Sequence, residues 1–186
     1  MISSLDLFLI GLLNSNIFWF YWNGISTTIR GGFIRLIRQN LDQTPIPSAT
    51  DEQKHTIATL AQQCQTIAEA RYHKQQAVIQ RIPDLCPAGR LPKLNTKLQH
   101  WWQLSFAEFR KEIQASFKQD IPLTERNAWE HWLNQERANV EQLTAQLTTL
   151  EQQLNAQVYE LFALTADEIR LIGNRSATPP PLSPSP

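Results

Sequence analysis

The stretch TERNAWEHWLNQERANVEQLTAQLTTLEQQLNAQVYEL, residues 124–161, decides the fold class. Placing Leu133, Val140, Leu147, Leu154 and Leu161 at heptad position a puts Trp129, Glu136, Leu143, Leu150 and Gln157 at position d. Eight of these ten positions are apolar, over nearly five heptads, which predicts one long helix with a coiled-coil-like seam. Such a seam needs a partner stripe, and the same chain supplies one. From Thr50, an N-cap with Gln53 as its capping-box partner, a second long helix is expected to run to about Ile82. Its predicted seam is Ile57, Leu60, Cys64, Ala68, Tyr72, Ile79 and Ile82. The residues between the two helices suffice for the second to return antiparallel to the first. The fold class is therefore mainly α, with two long helices forming an antiparallel coiled-coil-like hairpin.

Between these helices, Pro83, Pro87 and Pro92 mark a linker, and Ser105 with Glu108 is a second capping box opening a helix over FAEFRKEIQASF. Trp101 and Trp102 precede it as packing anchors. Thr165 with Glu168 caps a last short helix, and ATPPPLSPSP (177–186) reads as a disordered proline-rich tail. On the other side, residues 4–22 read as one helix that is apolar on most faces and must be buried. Asn23, Gly24, Gly31 and Gly32 are turn formers, and FIRLI (33–37) is β-branched enough for a short strand, the one place where β structure is expected. Pro45 and Pro47 stop that region. The expected organisation is thus 1–47, a small α/β part; 48–176, a helical arm; and 177–186, the tail.

With 42% hydrophobic residues the chain can build a real core. Its formal charge is zero, but up to Lys118 it holds 13 basic and 8 acidic residues, and beyond it 4 and 9. An anionic partner would therefore meet the front half. Two cysteines, Cys64 and Cys86, make no disulfide framework and no metal spacing, which points to a reducing, cytoplasmic setting. Asp6 and the polar Asn14-Ser15-Asn16 interrupt the apolar N-terminus, so a membrane span fits poorly and no membrane partner is expected.

Templates for chemistry fail one by one. Gly31 and Gly32 lack the spacing of a phosphate-cradling loop, and the four histidines have no nucleophile motif beside them. Glu52-Gln53-Lys54 with Pro83-Asp84 holds the parts of a nuclease metal site in reversed order. No catalytic residue and no metal ligand is assigned, so the chain reads as a binding or positioning module. What remains is IRGGFIRLIRQNLDQTPIP (29–47), where Arg30, Arg35 and Arg38 meet no acid between Asp6 and Asp42. These guanidiniums could grip phosphate or guanine edges, or could solvate one face of a small strand.

At this point the residues resemble a known family. Leu13-Asn14-Ser15, then an aromatic-rich run, Arg30-Gly31-Gly32-Phe33 and Pro45-Ile46-Pro47 are similar to the TaqI-like C-terminal specificity domain of adenine-specific DNA methyltransferases, including type IIG restriction-modification enzymes. HWWQLSFAEFRKEIQ and LNAQVYELFALTADEIRLI (154–172) resemble its middle and closing segments in the same order. The resemblance implies the C-terminal fragment of a DNA target-recognition domain that positions a separate or missing catalytic part. Its implied partners are double-stranded DNA and a methyltransferase catalytic domain or subunit. S-adenosylmethionine would belong to that catalytic part, because neither its glycine loop nor an Asn/Asp-Pro-Pro-Tyr/Phe motif occurs here, so no cofactor is expected in this chain. Arg30, Gly31, Gly32, Arg35 and Arg38 are the implied candidates for DNA contact. The alternative expectation is a coiled-coil interaction module indifferent to DNA.

Overall fold

A computed structural model describes residues 6–26 and 37–176. The fold is mainly α, with no strand among the described residues. In chain order the helices are α1 (Leu7–Leu13), α2 (Asn16–Ile25), α3 (Arg38–Asp42), α4 (Asp51–Arg81), α5 (Thr96–Gln99), α6 (Phe106–Phe117), α7 (Arg126–Leu161) and α8 (Ala166–Ser176). The chain divides into two compact units, one within Met1–Cys64 and Thr149–Pro186, the other Gln65–Thr148. Both long helices, α4 and α7, contribute to each unit.

The three predicted capping boxes form. Thr50 and Gln53 exchange bonds of 2.9 and 3.2 Å, Ser105 and Glu108 of 2.8 and 3.3 Å, and Thr165 and Glu168 of 2.8 and 3.4 Å. Each satisfies amides that a helix start leaves open. The expected single helix over 4–22 is instead two. Asn14 ends α1 by donating its side-chain amide to the Ile10 carbonyl at 2.9 Å, and Ser15 takes an extended ψ of 158°. The Ser15 hydroxyl is buried on the Leu12 carbonyl at 2.7 Å. Asn23 and Gly24 make no turn: α2 continues through them to Ile25, with the Asn23 amide donated to the Trp19 carbonyl. Of the strand expected over 33–37, residues 33–36 lie outside the described residues, and Ile37 belongs to neither helix nor strand.

In the first unit the buried cluster is Leu12, Phe18, Trp22, Ile57, Ala61, Leu154 and Val158. Phe18 meets Phe162 edge-on at 5.9 Å, and α2 also packs against α8, where Ile172 is buried. Gly11 lets α1 approach α4: a Cβ there would stand 2.8 Å from Ile57 Cγ2 and 3.4 Å from Ala61 Cβ. In the second unit Val78, Ile82, Leu98, Trp101, Phe109, Ile113, Phe117, Ile121, Leu133 and Val140 share one cluster. Trp101 is fully buried, with its indole N–H donated to the Gln75 carbonyl at 3.1 Å. Trp129 stacks near Phe109 and meets Trp132 edge-on, adding aromatic area where α6 and α7 meet.

The α7 seam is buried as predicted at Leu133, Val140, Leu147 and Leu154, but its last buried position is Val158, one residue past the predicted Gln157. The α4 seam differs more: Ala61 and Val78 are buried, whereas Tyr72 is 58% exposed. The stripe runs at alternating steps of four and three through Ile57, Ala61, Cys64, Ala68, Arg71, Gln75, Val78 and Ile82. Its middle is small or polar, so a search for large apolar residues slips one position towards Tyr72 and Ile79. The predicted seam residue Glu136 keeps a 13% exposed side chain, with Oε2 3.3 Å from the Lys74 ammonium. That oxygen is buried and has no hydrogen bond of good geometry, so the ion pair alone compensates its burial.

Four outcomes are expected in denaturant titrations. Gly11→Val lowers stability by about 1–3 kcal/mol through overpacking against a stiff β-branched Ile57, whereas Gly24→Ala, with open space around its Cβ, raises it by about 0.5–1 kcal/mol. Lys74→Met alone destabilises by about 1–3 kcal/mol because it strands Glu136, and the pair Lys74→Met/Glu136→Leu recovers that loss. Additive effects in the double variant would show the pair to be uncoupled.

Candidate nucleic-acid interface

The sequence block proposed to meet DNA begins where α2 ends and closes on the proline stop. Arg30, Gly31, Gly32 and Arg35 lie outside the described residues. Arg38 opens α3, with its side chain 93% exposed and its Nε 3.6 Å from Asp42. An exposed pair of this kind contributes little to stability, which leaves the guanidinium available to a phosphate.

The flanks of the block are clasped by polar bonds. Ser26, which follows α2, accepts from the Asn40 side-chain amide at 3.2 Å. Tyr21 donates its hydroxyl to the Gln43 carbonyl at 3.2 Å, and the Trp22 indole donates to Thr44 Oγ1 at 3.3 Å. Thr44 in turn donates to the Asn40 carbonyl at 2.9 Å. The segment ending in Pro45-Ile46-Pro47 is thereby laid along the aromatic face of α2. The Leu13-Asn14-Ser15 element is the tight joint between α1 and α2, and the Asn16 amide beyond it donates to Asn155 Oδ1 of α7 at 2.8 Å. Sequence reasoning missed Asn155, which sits one position from the buried Leu154 and has no local signal of its own. Ile25, Ile37, Ile46, Leu9 and Trp19 stay at the surface of this unit.

Elsewhere, cations are largely engaged by the fold. Asp120, between α6 and α7, receives Arg110 through Nε and Nη2 at 3.1 and 2.5 Å and Arg126 Nη2 at 2.8 Å. The Arg110 hydrogen bonds, then the Ile121 amide and the charge of Arg126, hold the Asp120 carboxyl below its usual range. Arg137 donates to the Leu104 carbonyl and to Asn134 Oδ1. Arg90 donates to the Phe117 carbonyl at 3.1 Å, closing the C-terminus of α6, where Lys118 takes a left-handed φ of 58°. Lys97 pairs with Glu112 at 2.7 Å, and that hydrogen bond lowers the Glu112 pKa. Burial, then Glu151, pushes the Cys64 thiol up, away from reactivity.

Among the described residues no group of three or more His, Cys, Asp or Glu could hold a metal ion, and no helix is long and apolar enough to cross a membrane. Two open grooves of about 630 and 580 Å³ flank α7 in the first unit. Their walls carry Tyr159 and Glu160 on one side and His55, Gln63 and Gln153 on the other, with Ala156 shared. Neither brings together a nucleophile, a base and an oxyanion donor set.

A family model described as a domain of unknown function, DUF8810, matches residues 50–158. No curated protein matches the chain, and no solved structure does.

Because the Asp120 pKa is depressed in the folded state, its contribution to stability is present above the unfolded carboxylate value of about 3.9 and is lost as pH falls through the lower native value. Asp120→Asn is therefore expected to lower stability at neutral pH and to flatten the fall in stability below about pH 4, measured by urea titration across pH. An unchanged acid limb would remove Asp120 as its source.

Proposed function

The chain belongs to the DUF8810 family, and we propose, from the sequence block before that domain, that it is a DNA target-recognition fragment of a restriction-modification adenine methyltransferase. In this role it positions a separate catalytic part on double-stranded DNA. The observation that carries the proposal is the block from Leu13 to Pro47, whose order of motifs resembles the specificity domain of those enzymes. Two further features support it. The flanks of the arginine-bearing segment, Ser26 and Asn40, are joined by a hydrogen bond of 3.2 Å. Arg38, its described arginine, points an accessible guanidinium to solvent. A small α/β character of this part, with its strand at FIRLI, belongs to the same proposal.

The helical arm is proposed to be an antiparallel hairpin of α4 and α7. In the first unit the start of α4 (Ile57, Ala61) clusters with the end of α7 (Leu154, Val158). In the second, Val78 and Ile82 cluster with Leu133 and Val140. The coiled-coil interaction module is disfavoured, because the seam leucines Leu133, Leu147 and Leu154 are already buried within a single chain.

Fluorescence anisotropy with duplex DNA across a salt titration tests the assignment. Arg35→Ala and Arg38→Ala are each expected to weaken binding and to reduce the salt slope by about one phosphate contact. Absence of duplex binding at low salt, even with the upstream methyltransferase part supplied, rejects it.

A further inference from the structure

We infer that the strap Arg90–Lys97 of the second unit is a second duplex-DNA contact, with Leu91 as an apolar wedge and Lys93 and Lys118 as its phosphate partners. This goes beyond the target-recognition proposal in its residues, and it rests on that proposal for the identity of the polyanion. From Leu85 to Ala107 the chain carries Arg90, Lys93 and Lys97 and no acidic residue. It is the longest such stretch in the second unit, and the fold holds it firmly. Gly89 turns it with a φ of 84°, and Cys86 Sγ donates to the Arg90 carbonyl at 3.8 Å. Arg90 grips the Phe117 carbonyl, and the Asn95 amide donates to Glu112 Oε2 at 2.8 Å and Ser116 Oγ at 3.2 Å. Leu98 is fully buried beyond it. The ordering cost of this segment is met on folding and not on binding.

Between those anchors, Lys93 is exposed and Leu91 is 95% exposed. A lone surface leucine is ordinary. Leu91 differs in its setting: it stands on an anchored turn, between Arg90 on one side and Pro92 and Lys93 on the other. Proteins that bend duplexes use this combination, inserting an apolar side chain at a base step while neighbouring cations hold the phosphates. Lys118, at the end of α6 beside Arg90, extends the basic surface, and Lys97 neutralises Glu112. Glu112 accepts from Lys97 and Asn95, and Glu108 accepts from Ser105. An anionic membrane is the poorer fit, since one leucine without an amphipathic helix buries little apolar area.

The full chain is tested by anisotropy and by energy transfer across an end-labelled duplex, with Leu91→Ala and Lys93→Gln beside Arg35→Ala/Arg38→Ala. Both strap positions are exposed, and unchanged thermal denaturation confirms intact folding. Lys93→Gln is expected to lower the salt slope by about one. Leu91→Ala is expected to leave the slope unchanged, to weaken binding by about tenfold and to abolish the bend reported by energy transfer. Losses with Arg35→Ala/Arg38→Ala and none with the strap variants overturn the strap and leave the target-recognition proposal standing. Losses with the strap variants alone support the strap and reject the arginine block. No duplex binding, or binding of phosphatidylserine vesicles in its place, overturns the strap.

Discussion

One stripe of α7 supplies side chains to both hydrophobic clusters: Leu133 and Val140 to one, Leu154 and Val158 to the other. A helix of 36 residues cannot be held by propensity alone in water, so that stripe must be covered along its length. The short helices follow from this need. In the first unit α1 and α2 deliver Leu12, Phe18 and Trp22 to the stripe; in the second, the linker and α6 deliver Trp101, Phe109, Ile113 and Phe117. The apolar N-terminus, sticky when considered alone, is therefore part of a core.

A heptad count and a straight helix disagree slowly, by about 20° per heptad. Over α7 the disagreement moves burial from Gln157 to Val158. On α4 the cause of the mismatch is compositional. Its stripe passes through Cys64, Ala68, Arg71 and Gln75, where packing tolerates small or long amphipathic side chains. Glu136 fits the same pattern, an acid retained at a seam position because Lys74 reaches it. Such a pair costs desolvation, which the attraction between the two charges offsets.

The polar joints of the first unit give the sequence block its shape. Asn14 and Ser15 end one helix and free the next, and Asn40 and Thr44 draw the chain after the arginines back onto α2. Their geometry accounts for asparagine, serine and an aromatic face in that order along the chain. In the second unit most cations serve the fold, with Arg110 and Arg126 on Asp120 and Arg90 on a helix end. Charge counted along the chain therefore overstates what is free to meet an anion.

The sequence by itself determined the helical class, the two long helices and the capping boxes of α4, α6 and α8. Periodicity and capping are local, and Thr50, Ser105 and Thr165 declare themselves within three residues of their partners. Only the tertiary structure decided the break at Asn14–Ser15, the burial of Ala61 and Val78 over Tyr72, and the clasp from Asn40 to Ser26. It likewise decided the setting of Leu91, held out between anchors at Arg90 and Asn95. The bonds at the helix break are local, from Asn14 and Ser15 to the turn before them; each of the others depends on groups distant in the chain competing for one surface or one hydrogen bond, and no local pattern records who wins.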